Sequence, residues 1–417
     1  MDIEGGTITV CVCTPYEGVQ EPRAPRHAAA IAKQYPAAKV FFVDCAPGGA
    51  ARRPVKAFEN LPNLVWQTHY FSTRAGGPFR LARDRAGAGL ARFWFKLSGA
   101  VVPAALSSRV IGMERTLREI KADIYLAHNI ETLLPAYRAA SQRGALVMFD
   151  SMEFHSDMGE SQTALERELV RAVEKICLPK CALVLASSPQ LADALATEYR
   201  IDRPLPLNNT PPVAQELPAK AAGFNLYWRN AVVGLGQRGL DDALVALTNL
   251  PVEISLHLQG RMPADGGAAL KTRIAELNLT SRVVFHPPYA PEDAVKEAAR
   301  HTVGLCLERK VNRNHDLTVS NKIFDYHMAG LAVIASDLPG LRGVMEASKG
   351  GLLFTPGSIE DLTAKILMLY RDPVQLGRFA QNARAFALRD GNLEKEMKVF
   401  IRVFERVCRE KLPGVFK

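Results

Sequence analysis

Two short stretches of the chain gather the side chains best suited to holding a polyanion. The first is Ser320-Asn321-Lys322-Ile323-Phe324-Asp325-Tyr326-His327-Met328-Ala329-Gly330, which leads into the strand-like run Leu331-Ala332-Val333-Ile334-Ala335-Ser336. Its polar residues crowd a helix start, where free backbone N–H groups and the positive dipole end favour a diphosphate. Lys322 adds a point charge, and Ser320 and Asn321 add donors. Asp325 falls one turn beyond Asn321 on the same face, where a carboxylate can accept hydrogen bonds from ribose hydroxyls. The second stretch, Tyr227-Trp228-Arg229-Asn230-Ala231-Val232-Val233-Gly234-Leu235-Gly236-Gln237-Arg238-Gly239-Leu240, reads as a strand entering a glycine-bearing loop before a helix. Arg229 and Arg238 flank Gly236, and guanidinium groups grip phosphate oxygens through paired donors. Taken singly, each stretch also reads as a capped helix or a turn with solvated charges; taken together they favour an anion site.

The first half of the chain carries a different set. Asp123-Ile124-Tyr125-Leu126-Ala127-His128-Asn129-Ile130-Glu131-Thr132 reads as a strand delivering His128 and Asn129 to its carboxyl end, where an open α/β sheet places chemistry. The next strand runs into Phe149-Asp150-Ser151-Met152-Glu153-Phe154-His155. Glu153, His155 and Asp157 alternate and can point to one side as metal ligands. However, no Asp-x-Asp and no His-Glu-x-x-His is present, and Cys177 and Cys181 lack a second pair at zinc spacing. Arg229, Arg238, Lys322 and the helix start can supply the charge of a divalent ion, so the expectation is chemistry with no metal and no cofactor. Thr14-Pro15-Tyr16-Glu17-Gly18-Val19 is not a dinucleotide turn, which argues against a nicotinamide oxidoreductase. Arg26, in Arg23-Ala24-Pro25-Arg26-His27, stands before a helix as a contact for an anionic acceptor or as part of a solvated helix start.

These residues need rigid elements behind them. At 417 residues and 48% hydrophobic content the chain can bury two large cores. Apolar β-rich runs at 8–13, 39–45, 63–68, 123–127, 145–149 and 182–186 alternate with helical stretches, as in a doubly wound parallel sheet. Prolines 204, 206, 211, 212 and 218 then crowd the span 203–222. The alternation resumes with runs at 225–233, 252–260, 282–285, 303–307, 331–335 and 351–354. Leu393, Met397, Phe400, Ile401, Phe404, Val407 and Cys408 recur at helical spacing behind Asn392, a candidate N-cap. The expected division is an N-terminal Rossmann-like lobe at 1–210, a Pro-rich linker at 211–224, a C-terminal lobe at 225–391, and a closing amphipathic helix at 392–417 packed back on the N-terminal lobe. Two such lobes face a cleft that takes ligands at the strands' carboxyl ends.

The formal charge of +9 points to an acidic partner. In 79–102, Arg80, Arg83, Arg85, Arg92 and Lys96 interleave with Leu81, Leu90, Phe93, Trp94, Phe95 and Leu97. That mixture suits an interfacial helix on anionic lipid, or equally a helix packing its aromatics on the first lobe. No nucleic-acid module is recognisable, so nucleic acid is not an expected partner. The opening residues 1–6 carry no secretory leader pattern, no run is long enough to span a bilayer, and the seven scattered cysteines read as reduced thiols. The expected location is the cytoplasm, peripheral at the inner face of the cell membrane if 79–102 binds lipid.

The 320–330 segment, continuing through Asp337-Leu338-Pro339-Gly340 to Gly350-Gly351-Leu352-Leu353-Phe354, resembles the donor-binding signature of the retaining glycosyltransferases of GT-B fold, the group 1 or family 4 type. The resemblance implies a nucleotide-sugar donor, with UDP the commonest nucleotide, and a hydroxyl acceptor such as a glycan or lipid-linked glycan. It implies donor binding by Arg229, Gly236, Arg238, Ser320, Asn321, Lys322 and Asp325. Catalytic duties fall to His128, Arg229, Arg238 and Lys322, and acceptor-side contacts to Arg26, Asn129 and Glu153. Leu317 stands where the family pattern has its first acidic residue, Arg238 where it has lysine, and Met152 where it has histidine in Asp-Ser-His-Glu. A sugar-nucleotide epimerase and an inactive nucleotide-sugar-binding scaffold are the alternative readings on the same architecture.

Overall fold

The computed structural model describes residues 8–50, 53–73, 77–159, 162–236 and 238–413; the opening residues read as lacking a leader, and Gln237 of the glycine-bearing loop, lie outside them. The chain forms two compact units, one comprising Met1–Leu207 with Met397–Lys417 and the other Asn208–Glu396.

In the first unit the strands are β1 (Thr9–Cys13), β2 (Lys39–Pro47), β3 (Leu64–Phe71), β4 (Ile124–His128), β5 (Leu146–Ser151), β6 (Leu183–Ala186) and β7 (Leu205–Pro206). Among the described residues they form one parallel sheet in the order β3-β2-β1-β4-β5-β6-β7. The order reverses direction between β1 and β4, which is where a doubly wound sheet opens a ligand crevice. The short β7 falls inside the proline-dense span 203–222, part of which is therefore strand rather than irregular chain. Proline is tolerated there because β7 is the edge of the sheet and needs no second ladder partner. Val10, Val12, Phe42, Ile124 and Leu126 form the core, and Phe400, Phe404, Val407 and Cys408 from the helix Leu393–Lys411 complete it. Asn392 caps that helix, its Oδ1 accepting from the Lys395 N–H at 2.9 Å.

In the second unit the strands are β8 (Phe224–Val232), β9 (Ile254–Arg261), β10 (Val283–His286), β11 (Val303–Cys306), β12 (Ala332–Ser336) and β13 (Gly351–Phe354). They make a parallel sheet in the order β10-β9-β8-β11-β12-β13, so a second switch point lies between β8 and β11. Both faces are covered: Leu226, Trp228, Leu256 and Ile334 point into one core, Tyr227, Cys306 and Val333 into the other. Burial on both faces explains why these strands read as continuous apolar runs rather than alternating ones. Gly304 on β11 is required by that packing, since a Cβ there would lie 2.4 Å from the Tyr326 ring. No described helix is long and apolar enough to cross a membrane.

Candidate functional site

In the second unit, the ends of β8 and β11 and the helix Lys322–Met328 bring Arg229, Arg238 and Lys322 into one charged cluster. Arg229, at the carboxyl end of β8, pairs with Asp325 and donates from Nη1 to the Tyr289 hydroxyl at 2.8 Å. Burial works against its charge, but Asp325 more than offsets this, so Arg229 remains firmly protonated. Lys322, only 6% exposed, places Nζ 3.0 Å from Glu308 Oε1 and 5.8 Å over the Trp228 ring. Arg238 approaches the same oxygen at 3.5 Å. Burial would raise the Glu308 carboxyl, but Lys322, Arg238 and the Ser320 hydroxyl hold it below its ordinary value. Three cations thus face two carboxylates, and the surplus charge is positive.

The loop carrying Arg238 is tied down from both sides. The Trp228 indole donates to the Arg238 carbonyl at 3.1 Å, and Arg238 itself has φ +40°. Gly239 has φ +71°, and a Cβ there would sit 2.2 Å from the Leu307 carbonyl oxygen, so only glycine fits. Gly236 also has positive φ, but its N–H is already bonded to Asp241 Oδ2 at 2.7 Å. Asn321 precedes the helix without a side-chain cap, and Ser320 turns inward to Glu308 rather than to the helix end. With seven residues the helix offers two turns of dipole, so the side-chain cations are the larger source of positive potential.

In the first unit, His128 and Asp150 are register partners on adjacent strands, each at or next to the carboxyl end. His128 Nδ1 lies 3.1 Å from Asp150 Oδ2, and its Nε2 lies 3.3 Å from His27 Nδ1. Arg23 closes the network, donating from Nε and Nη2 to the Asp150 carboxylate at 2.6 and 3.0 Å and from Nη1 to the Leu207 carbonyl. Burial alone would push the Asp150 carboxyl up, yet Arg23 and His128 hold it well below the usual carboxylate range. The structure thus puts His128 at the end of β4 but encloses its ring completely.

Beside this network a cavity of about 440 Å³ opens, with Tyr16, Asn129, Glu131, Met152, Glu153 and His155 among its lining. Asn129 adopts φ +63° and ψ 154°, a region almost reserved for glycine, and its buried Nδ2 has no hydrogen-bond partner. Burial raises the Glu131 carboxyl above its ordinary value. Two of the acceptor-side candidates, Asn129 and Glu153, therefore line the cavity; Arg26 lies on the helix Arg23–Gln34 and does not. Glu153, His155 and Asp157 are not among the described groups close enough to hold one metal ion. Sequence reasoning passed over Glu308, Glu131 and Arg23. Glu308 stands two residues beyond β11, the position that had singled out His128 and Asn129 after β4.

Residues 48–206 match the family model of the glycosyl transferase 4-like domain, and residues 233–372 match that of the glycosyl transferases group 1. No curated protein matches the chain in sequence. Among solved structures, Anabaena Alr3699/HepE in complex with UDP is similar at a TM-score of 0.69 and 15% identity, over 96% of this chain and 100% of that one. Sucrose-phosphate synthase from Thermosynechococcus elongatus matches at 0.69 and 16%, over 96% and 99% of the two chains. A glycosyltransferase from Rickettsia africae matches at 0.69 and 12%, over 97% and 100%. At these identities the likeness to solved structures is one of fold.

Proposed function

The chain belongs to the group 1 glycosyltransferases of GT-B fold, and on that premise we propose that its second unit holds a UDP-sugar, whose sugar passes to a hydroxyl acceptor with retention of anomeric configuration. The observation that carries the reading is the convergence of Arg229, Arg238 and Lys322 on one patch, held ready by Glu308 and Asp325. A diphosphate entering there exchanges water for fixed cations, and the stabilisation grows as negative charge builds on the leaving group. That charge balance requires no divalent ion. The leaving diphosphate then takes the acceptor's proton on the face it departs from, which gives retention. Asp325 offers its carboxylate to the ribose, and Ser320, Asn321 and the Gly236 loop frame the donor. UDP is chosen because it is the family's common nucleotide and because the Anabaena neighbour is in complex with it.

The acceptor belongs to the first unit's cavity. Glu131 and Glu153 accept hydrogen bonds and Asn129 Nδ2 donates one, a lining that suits the hydroxyls of a glycan or lipid-linked glycan better than an anionic group. His128 acts on the sugar through position: its ring, fixed by Asp150, sets the end of β4 and so the strained Asn129. The helix Pro78–Ser98 rests on an anionic membrane at the cytoplasmic face. Phe79, Leu90, Phe93, Trp94 and Leu97 are all exposed, and at 100° per residue they share an arc of roughly 100°. Arg80, Arg85 and Lys96 flank that arc and are exposed as well. The reading in which these aromatics pack inward holds only for the half-buried Phe95.

The test is direct: purified protein incubated with UDP-sugars and a panel of glycan and lipid-linked acceptors, in the presence of chelator. A glycoside product of retained configuration is expected. Epimerised donor without acceptor, or tight UDP-sugar binding with no turnover on any acceptor, overturns it.

A further inference from the structure

The donor unit carries a second cluster of chemically capable side chains that the transfer reaction does not use. His257 on β9, His286 at the end of β10 and His301 beyond the helix Ala294–Ala299 each bring one ring nitrogen within 4.8 Å of the other two. His257 and His286 share a face of the sheet, because His286 is the register partner of Gln259, two residues along β9 from His257. His257 Nδ1 lies 2.8 Å from His286 Nε2, and the two rings stack at 5.0 Å. The His301 ring stands at 73° to His257 and 86° to His286, so it closes the third side rather than extending the stack.

What separates this cluster from ordinary packing is where the outward nitrogens go. The Ser255 hydroxyl donates to Asn225 Oδ1 at 2.8 Å, so it is an acceptor for His257 Nε2 at 3.1 Å. His257 therefore carries its proton on Nε2 and turns the Nδ1 lone pair inward, where it accepts from His286 Nε2 at 2.8 Å; a metal ion takes the place of that proton, and His286 then carries its proton on Nδ1. His301 Nδ1 faces the Glu297 and Ala298 carbonyls at 3.2 and 3.4 Å, which accept its proton and leave the Nε2 lone pair free. Fixing the tautomer through the second nitrogen is how proteins orient imidazoles toward a metal ion. Burial lowers the proton affinity of all three rings. His301 is 3% exposed and anchors the group, whereas His257 and His286 are half-buried and leave one side open.

We propose that His257, His286 and His301 form a site for a zinc-like divalent transition metal, with water as the fourth ligand. Three imidazoles with one open position suit tetrahedral zinc, copper or nickel chemistry and not a hard, oxygen-seeking cation. At the usual metal–nitrogen distance of about 2.0–2.1 Å, tetrahedral ligands lie roughly 3.3 Å apart, so the 2.8 Å pair opens and the wider pairs close by small ring rotations. Glu297 stands close by: its Oε2 accepts from Gln259 Nε2 at 3.1 Å and its charge offsets part of the ion's. The ion's role is structural. It pins β9, β10 and His301 together, and with them the segment from His286 to Tyr289, whose hydroxyl receives Arg229. Tyr227 stacks on His301 at 4.2 Å, a second mechanical link to the donor site.

Co²⁺ is the probe for this site, added to chelator-treated full-length protein. The expected result is one equivalent bound, with visible d–d absorption of tetrahedral intensity, three paramagnetically shifted imidazole N–H resonances, and a thermal midpoint raised by several degrees. His286→Gln, on the edge strand, should lose the absorption and the thermal shift while unfolding at the wild-type temperature in chelator. His257→Gln should behave likewise. Absence of absorption in the wild type, fewer than three shifted N–H resonances, or absorption retained in His286→Gln overturns the proposal. The wild-type spectra decide the matter even if a variant does not fold. Because transfer is expected to proceed in chelator, failure of the metal site and failure of the transferase reading are distinguishable.

Discussion

Lys322→Met separates two roles that one side chain performs. Lys322 is the 3.0 Å partner of Glu308, which is 4% exposed, and removing it leaves that carboxylate with Arg238 at 3.5 Å and the Ser320 hydroxyl. Breaking a buried pair by deleting one partner costs about 3–5 kcal/mol, and the surviving contacts place this case near the lower end, about 3 kcal/mol. In a unit of this size each kcal/mol moves the midpoint by about 2–4 °C, so a fall on the order of 10 °C is expected. Catalysis should suffer separately: losing one fixed charge that stabilises the leaving group lowers kcat by about 100- to 1000-fold. The double variant Lys322→Met with Glu308→Gln removes the orphaned charge, and should regain most of the midpoint but none of the activity. The sign with pH follows from Glu308, whose carboxyl is held below its ordinary value in the folded wild type. Its pairing stabilises the fold above about pH 4.5 and is lost as pH falls, so the deficit of the single variant should narrow in acid. The assay pairs thermal unfolding with release of UDP at saturating donor and acceptor. Recovery of transfer in the double variant would refute a role for Lys322 in the chemistry, and an unchanged midpoint in the single variant would refute the pairing.

Gly239→Ala puts a methyl group 2.2 Å from the Leu307 carbonyl at a φ of +71°, and should lower the unfolding midpoint by at least several degrees; an unchanged midpoint refutes the close approach. Burial lowers His155 to about 4 and His327 to about 3, so the folded protein binds fewer protons than the unfolded chain below pH 6.5. Stability is full above that pH and falls on acidification, by about 2 kcal/mol from each histidine at pH 5. Urea unfolding at pH 7 and pH 5 measures this, and equal stability at the two values refutes it. Leu90→Glu with Trp94→Glu places two carboxylates on the exposed stripe of the helix Pro78–Ser98. Cosedimentation with phosphatidylglycerol vesicles should drop about 10-fold or more, with turnover of a water-miscible acceptor unchanged; undiminished cosedimentation removes the membrane reading.

The strands were legible because a parallel sheet covered on both faces leaves unbroken apolar runs, and most observed strands start or stop within two residues of those runs. β7 was not: Leu205–Pro206 lies among prolines that argue against a central strand, and only the topology reveals it as an edge. The cluster of Arg229, Arg238 and Lys322 was legible from their spacing around a strand end and a helix start. Their carboxylate counterparts were only partly so, because Glu308 reaches Lys322 and Arg238 through three separate elements. Arg26 drew attention for its charge, yet Arg23, three residues earlier and one helical turn away, is the arginine buried against Asp150. The histidines at 257, 286 and 301 meet only once strand register is known, so no spacing rule could have joined them.

The core of the first unit is completed by residues that follow the second unit in the chain. Phe400 and Phe404 fill the same core as Val10 and Ile124, and Phe400 stacks at 4.4 Å on His27, the neighbour of His128. During synthesis, these rings emerge only after the whole of Asn208–Glu396, a delay of about 10–40 s at ordinary elongation rates. For that interval the nascent first unit exposes the apolar face that Phe400, Phe404, Val407 and Cys408 later cover, and the His27 ring lacks its stacking partner. A truncated or stalled product therefore lacks a finished first core, and a chaperone has a defined surface and a defined time in which to hold it.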